Sequence, residues 1–179
     1  MTSERGRDSV PTEHPEEPDR TGVFVVDTDA ERDDAFAVRR SVFVDEQGVA
    51  AEIEYDEYDD SGADATHFVA YADGVAVGAA RLRPADPEPS PDSRPDGGPT
   101  GKVERVAVAA DRRGNGWGRR LIDAVEARAR EAGFERVALH AQTRVRGFYD
   151  RLGYDAYGTE FEEAGIPHIA METELDGGV

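Results

Sequence analysis

The chain has 179 residues, 39 acidic and 21 basic, for a net charge of −18, and its 38% hydrophobic content suits one sizeable core rather than two full domains. It has no run of about 18 apolar residues, no apolar stretch within "MTSERGRDSVPTEHPEEPDR", no cysteine and only four scattered histidines, so a soluble cytoplasmic protein without disulfides or metal is expected. An acidic surface repels phosphate backbones and anionic lipids, which sets nucleic acid and membranes aside as partners.

In chain order, residues 1–20 are polar and proline-bearing and read as a disordered acidic tail before one domain over 21–179. "GVFVVDT" (22–28) predicts a strand, and Thr28 or Asp29 caps a helix running to about Phe43. "THFVAYA", a turn at Asp73-Gly74 and "VAVGAARLR" predict a hairpin, followed by a long surface loop over 84–101 rich in Pro and Asp. A strand over 102–109 then leads into a helix from about Gly116 to Ala132. Its apolar stripe is Leu121, Ile122, Val125 and Ala129, and Gly133 stops it. The strand "RVALHA", a helix around "RVRGFYDRL" ended by Gly153, and a hairpin turning at "AGIP" into "HIAMETEL" complete the order β-α-β-β-β-α-β-α-β-β. This pattern predicts an α/β fold with a mixed sheet and one βαβ crossover in its second half.

The crossover carries "ERVAVAADRRGNGWGRRL" (104–121). Arg113, Gly114, Asn115, Gly116, Trp117 and Gly118 fall between a strand's C-terminal end and a helix N-terminus, where free backbone N–H groups and the positive end of the helix dipole form an anion cradle. The glycine spacing G-x-G-x-G is neither the Rossmann G-x-G-x-x-G nor a Walker loop, which needs a terminal Gly-Lys-Ser/Thr. Without other motifs, a glycine-rich turn that binds nothing fits these six residues as well.

Other motifs are present. "RVAVAADRRGNGWGRRL" resembles the strand-to-loop region of the GNAT N-acetyltransferase superfamily, with Arg113, Gly116 and Gly118 on its Q/R-x-x-G-x-G/A pattern. "QTRVRGFYDRLGY" (142–154) is similar to that superfamily's N-x-x-A-x-x-F-Y-x-x-x-G-F through Phe148, Tyr149 and Gly153, while Gln142, Val145 and Tyr154 depart from it. "VFVDEQGV" (42–49), "THF" around His67 and "EEAGIPHIAM" (162–171) look like the ElaA-like branch. The resemblance spans roughly residues 22–174 and implies the GNAT fold with acetyl-CoA as acyl donor. It further implies that the loop amides from Arg113 to Arg119 hold the pyrophosphate, that Val106, Ala107 and Val108 bond the pantetheine arm as a false neighbouring strand, and that Gln142 stands near the cofactor. Arg113, Arg119 and Arg120 either add a local positive field or form a solvated helix face.

The chemistry implied is attack of an amine on a thioester. A lysine-like amine has a pKa of about 10.4 and must lose a proton, whereas the departing thiolate, with a thiol pKa of about 8.5, must gain one. The resemblance puts Tyr149 at the general-acid position. Period-2 alternation places Glu104 on one face with Val106 and Val108, where its carboxylate either takes the amine proton or stands in solvent at an edge. Glu46, His67 and His168 match acceptor-side positions of the ElaA-like branch, although satisfied structural histidines are the commoner case. His140 carries a weaker signal of the same kind. The acidic run "EIEYDEYDD" (52–60) offers attraction to a cationic amine or is simply part of an acidic surface.

The expected activity is acetyl transfer to a primary amine of a small molecule or peptide, the alternative being a catalytically silent acyl-CoA-binding or regulatory module on the same fold. A homodimer is compatible with either. Acidic excess with Lys102 as the one lysine resembles the proteomes of salt-loving archaea, and at molar salt a Debye length of about 3 Å would screen such a surface.

Overall fold

The structure, a computed structural model, describes residues 20–86 and 98–176; the expected tail, up to residue 19, and the expected loop, over 87–97, lie outside the described residues. Strands β1 (Gly22–Val25), β2 (Thr66–Ala72), β3 (Val75–Pro84), β4 (Thr100–Val108), β5 (Arg136–Gln142), β6 (Asp155–Glu163) and β7 (Ile166–Glu174) form one sheet in the order β1-β2-β3-β4-β5-β7-β6. Helices α1 (Asp29–Arg39), α2 (Ala51–Glu54), α3 (Trp117–Glu131) and α4 (Arg146–Arg151) complete the expected order, with α2 as an addition.

Local chemistry explains the boundaries. Thr28 accepts from the Glu31 amide while the Glu31 carboxylate accepts from the Thr28 amide, a capping box that starts α1. The helix then widens into a π-helical stretch over Arg40–Glu46, so the expected single helix to Phe43 changes pitch after Arg39. Asp73 and Gly74 turn the β2–β3 hairpin with φ of 49° and 79°, the conformation an Asp-Gly pair supplies cheaply.

The sheet carries a core on each face. Phe68, Val77, Val103, Leu121, Ile122, Val125, Leu139 and Met171 pack on the face covered by α3 and α4. Ala35, Val38, Val42, Val69, Tyr71, Ala79 and Ala107 pack on the face covered by α1. Among the described residues the ladders are antiparallel except for β4 and β5, whose parallel register runs from Thr100 with Arg136 to Val103 with Leu139 and then stops. Beyond it, β4 continues beside β3, and β5 continues beside β7 as far as Gln142 with His168. The sheet therefore opens between Val103 and the end of β4.

Candidate active site

At the point of opening, β4 is bulged. Its register with β3 slips between Ala79 and Arg81, and Arg105 takes a left-handed φ of 56°, a conformation a bulky residue holds only under constraint. The constraint comes from the Arg105 guanidinium, which donates to the carbonyls of Glu54 (3.1 Å) and Ile53 (3.3 Å) in α2. The extra residue corrects the expected alternation. Glu104 pairs across from Arg81 on the α1–α2 face, whereas Val106 and Val108 pack toward the α3 core and Ala107 toward the α1 core.

Glu104 meets three cations there. Arg83 Nε and Nη2 each donate to it at 3.0 Å, Arg81 donates through Nε at 3.1 Å and again through Nη2, and Lys102 Nζ stands 3.4 Å away. Burial alone would raise its pKa, but the two guanidiniums and the lysine outweigh that and hold the carboxyl at about 2. A group so acidic has little affinity for an amine proton.

The same network absorbs Glu54, Asp56 and Asp59 of the acidic run, while Glu52, Glu57 and Asp60 stay exposed. Buried Arg39 bonds Glu54 at 2.8 Å and forks onto Asp59 at 2.7 and 2.9 Å, while Arg81 bonds Asp56 at 2.6 and 2.8 Å and Asp59 at 3.0 Å. Burial pushes the Asp59 carboxyl up, but Arg39 and Arg81 bring it down to about 2. Glu54, Asp56 and Asp59 thus face inward and lock the α2 segment onto β3, and do not form a lure for cationic substrate.

A cleft of about 1010 Å³ occupies the opening. At its head, Gly114 and Gly116 hold left-handed φ of 81° and 83°, and a Cβ built on either meets nothing within 4 Å. Gly116 caps α3 without a side chain, leaving the first amides of a 15-residue helix facing the opening. A phosphate-bearing ligand fits such a cradle. Gly118 differs, since its Cβ would stand 3.0 Å from the Phe148 ring; its smallness seats α3 against α4. Trp117 is buried in the core with Arg120 stacked on its ring at 4.2 Å, and Arg119 lines the cleft. Asn115 lies outside the lining, its amide donating to the Arg112 carbonyl at 3.3 Å within its own turn.

The remaining candidates separate. Tyr149 lines the cleft, 7% exposed, its ring edge-on to Phe148 and Tyr154, and burial raises its phenol pKa so that the hydroxyl stays protonated at neutral pH. His168 also lines it, Nδ1 donating to the Ile166 carbonyl at 2.6 Å. His67 does not: its ring packs edge-on to Phe36, Nε2 donates to the Tyr58 carbonyl at 3.2 Å, and burial lowers its pKa. Glu46, expected on the acceptor side, instead forms a two-pronged ion pair with Arg113 of the glycine loop, one prong at 2.7 Å. Gln142 donates to Gln47 at 2.9 Å and accepts from Arg144 at 2.9 Å, tying the end of β5 to the end of the π-helical stretch.

Sequence reasoning missed Glu163 in β6, which lines the cleft beside both His140 and His168. The signal was present as the Ala164-Gly165 turn directly after it, since a tight hairpin aims its flanking side chains to fixed places.

A mixed sheet opened at its one parallel pair, with an amide cradle at the head of the opening, defines the class of acyl-CoA N-acyltransferases. Residues 27–175 match the acetyltransferase (GNAT) domain, and the chain belongs to that family of N-acetyltransferases. The uncharacterized N-acetyltransferase YjcF of Bacillus subtilis is 38% identical over 139 residues, covering 77% of this chain and 89% of YjcF. An acyl-CoA N-acyltransferase of Pseudomonas aeruginosa superposes with a TM-score of 0.69 at 28% identity, covering 86% of this chain and 99% of that one. Escherichia coli ElaA shares the fold with a TM-score of 0.69 at 24% identity over 86% of this chain and 99% of its own.

Proposed function

We propose that the protein transfers an acetyl group from acetyl-CoA to a primary amine of a small molecule or peptide by direct attack of the amine on the thioester. The observation that carries this reading is the co-location, in one cleft, of the open glycine cradle and a buried, protonated tyrosine. The bound cosubstrate supplies an activated acyl carbonyl. The amides at Gly114, Gly116, Trp117, Gly118 and Arg119 would hold its pyrophosphate, and the edge of Val106, Ala107 and Val108, which has lost β5 as a neighbour, is free to bond an amide-bearing chain.

Tyr149 holds a proton in reach of the cleft and serves as donor to the leaving sulfur. Glu104 anchors the bulge and keeps Arg81, Arg83 and Lys102 in place; its low pKa argues against the base role that alternation suggested. Arg113 is engaged by Glu46, so it would meet an arriving phosphate only by exchanging partners.

The acidic surface supports a further part of the reading, that the protein works in concentrated salt. Its melting temperature is expected to rise between about 0.1 M and molar KCl as the charge of −18 is screened; equal values in a thermal scan would remove this part. Thiol release from acetyl-CoA against a panel of primary amines at molar KCl tests the activity. Tight CoA binding with no release across the panel would favour the silent module.

A further inference from the structure

Glu163, His140 and His168 form a cluster on the wall of the cleft that the reading above does not use. Glu163 Oε2 lies 3.5 Å from His140 Nδ1 and 3.8 Å from His168 Nε2, placing one carboxylate oxygen between two imidazoles on three neighbouring strands. Phe161 positions both rings, edge-on to His140 with centroids 4.9 Å apart and stacked on His168 at 6.0 Å. The His168 tautomer follows from its Nδ1–H bond to the Ile166 carbonyl, which turns Nε2 toward Glu163. The other cleft-lining carboxylates, Glu54 and Glu104, are held by arginines; among the described residues, Glu163 faces imidazoles instead, with Lys102 as a more distant cation. Its side chain is 50% exposed, so it is open to a ligand. The cleft lining also includes the apolar side chains Phe43, Val49, Ile53 and Ile166.

We infer that Glu163, His140 and His168 are the acceptor subsite, which binds one primary ammonium group on an otherwise apolar amine and takes its proton. A substrate with several ammonium groups would need several carboxylates not held by arginine, and among the described residues lining the cleft Glu163 is one. This inference rests on the acetyltransferase reading above. The ammonium gives one proton to an imidazole, which Glu163 stabilises as a cation. The freed nitrogen lone pair forms the N–C bond with the thioester carbonyl, the C–S bond breaks, and the sulfur leaves with a proton from Tyr149. The second proton lost from nitrogen restores Tyr149, and the imidazole proton passes to solvent, so amine cation and acyl thioester become amide, thiol and one released proton. The groups facing the imidazoles include Glu163 and Phe161 from β6 and the Ile166 carbonyl from β7, with Gln142 of β5 paired across from His168, while Lys102 of β4 acts at longer range on Glu163.

The test uses the full chain, acetyl-CoA and two probe amines, 2-phenylethylamine and spermidine, from pH 6 to 9.5. Wild type is expected to favour 2-phenylethylamine in kcat/KM by about tenfold or more, as one ammonium in an apolar pocket requires. Glu163→Gln, at an exposed position, should keep the wild-type melting temperature and acetyl-CoA affinity while losing about 10²-fold in kcat/KM at neutral pH. That loss should shrink as pH approaches the amine's own pKa of about 10, where the substrate arrives neutral. A loss of equal size at every pH, an unimpaired variant, a preference for spermidine, or turnover of neither probe would overturn the subsite. Failure of wild type to bind acetyl-CoA would instead overturn the reading on which it rests.

Discussion

Tyr149→Phe is expected to slow acetyl transfer by about 10²- to 10⁴-fold while leaving acetyl-CoA affinity unchanged. The substitution removes one hydroxyl and nothing else. The ring keeps its edge-on contacts with Phe148 and Tyr154, so the α3–α4 core should survive intact. Burial raises the phenol pKa, so the group is protonated at neutral pH, the form a donor to a departing thiolate must have. Single-turnover rates separate chemistry from product release, and paired titrations with acetyl-CoA report binding. A near-normal single-turnover rate would remove Tyr149 from the mechanism.

Arg81→Met carries the largest expected cost in stability. Arg81 is fully buried and bonds Asp56, Asp59 and Glu104 at once. A methionine of similar length fills the volume but leaves these carboxylates facing one another with less positive charge among them. Breaking a buried ion network from one side costs about 3–5 kcal/mol, which for a chain of this size lowers the melting temperature by about 6–20 °C. The bulge at Arg105 rests on the same α2 segment, so cofactor affinity should fall together with stability. A melting temperature within about 2 °C of wild type would mean that the network is dispensable.

Much of this architecture is legible in the sequence because it is set by local rules. The Thr28 capping box, the Asp73-Gly74 turn, the stripe of Leu121, Ile122, Val125 and Ala129, and Gly153 after α4 each occupy the place that propensity and periodicity assign. The glycine loop is equally plain, because left-handed φ values at Gly114 and Gly116 leave a mark in residue type.

What escaped depends on events between distant segments. Alternation along β4 fails at Arg105, whose left-handed conformation is imposed by carbonyls about fifty residues earlier and leaves no trace in its residue type. The acidic run at 52–60 looked like surface because its arginine partners, Arg39 and Arg81, come from α1 and β3. His67 and His168 are similar as sequence signals, yet packing puts one beneath α1 and the other on the cleft wall. Glu163 stood among several glutamates; the turn after it marks the hairpin, but the β5–β7–β6 strand order is what brings it to His140 and His168.

The central claim is that an acyl-CoA ligand enters the opening between β4 and β5 with its phosphates on the N-terminus of α3. Backbone amide NMR during a titration with CoA tests it most directly. The account predicts saturable shifts concentrated at Gly114, Gly116, Trp117 and Gly118 and along Val106 to Val108, with little change in β1 and β2. Saturable shifts clustered elsewhere, or none at millimolar CoA, would contradict it.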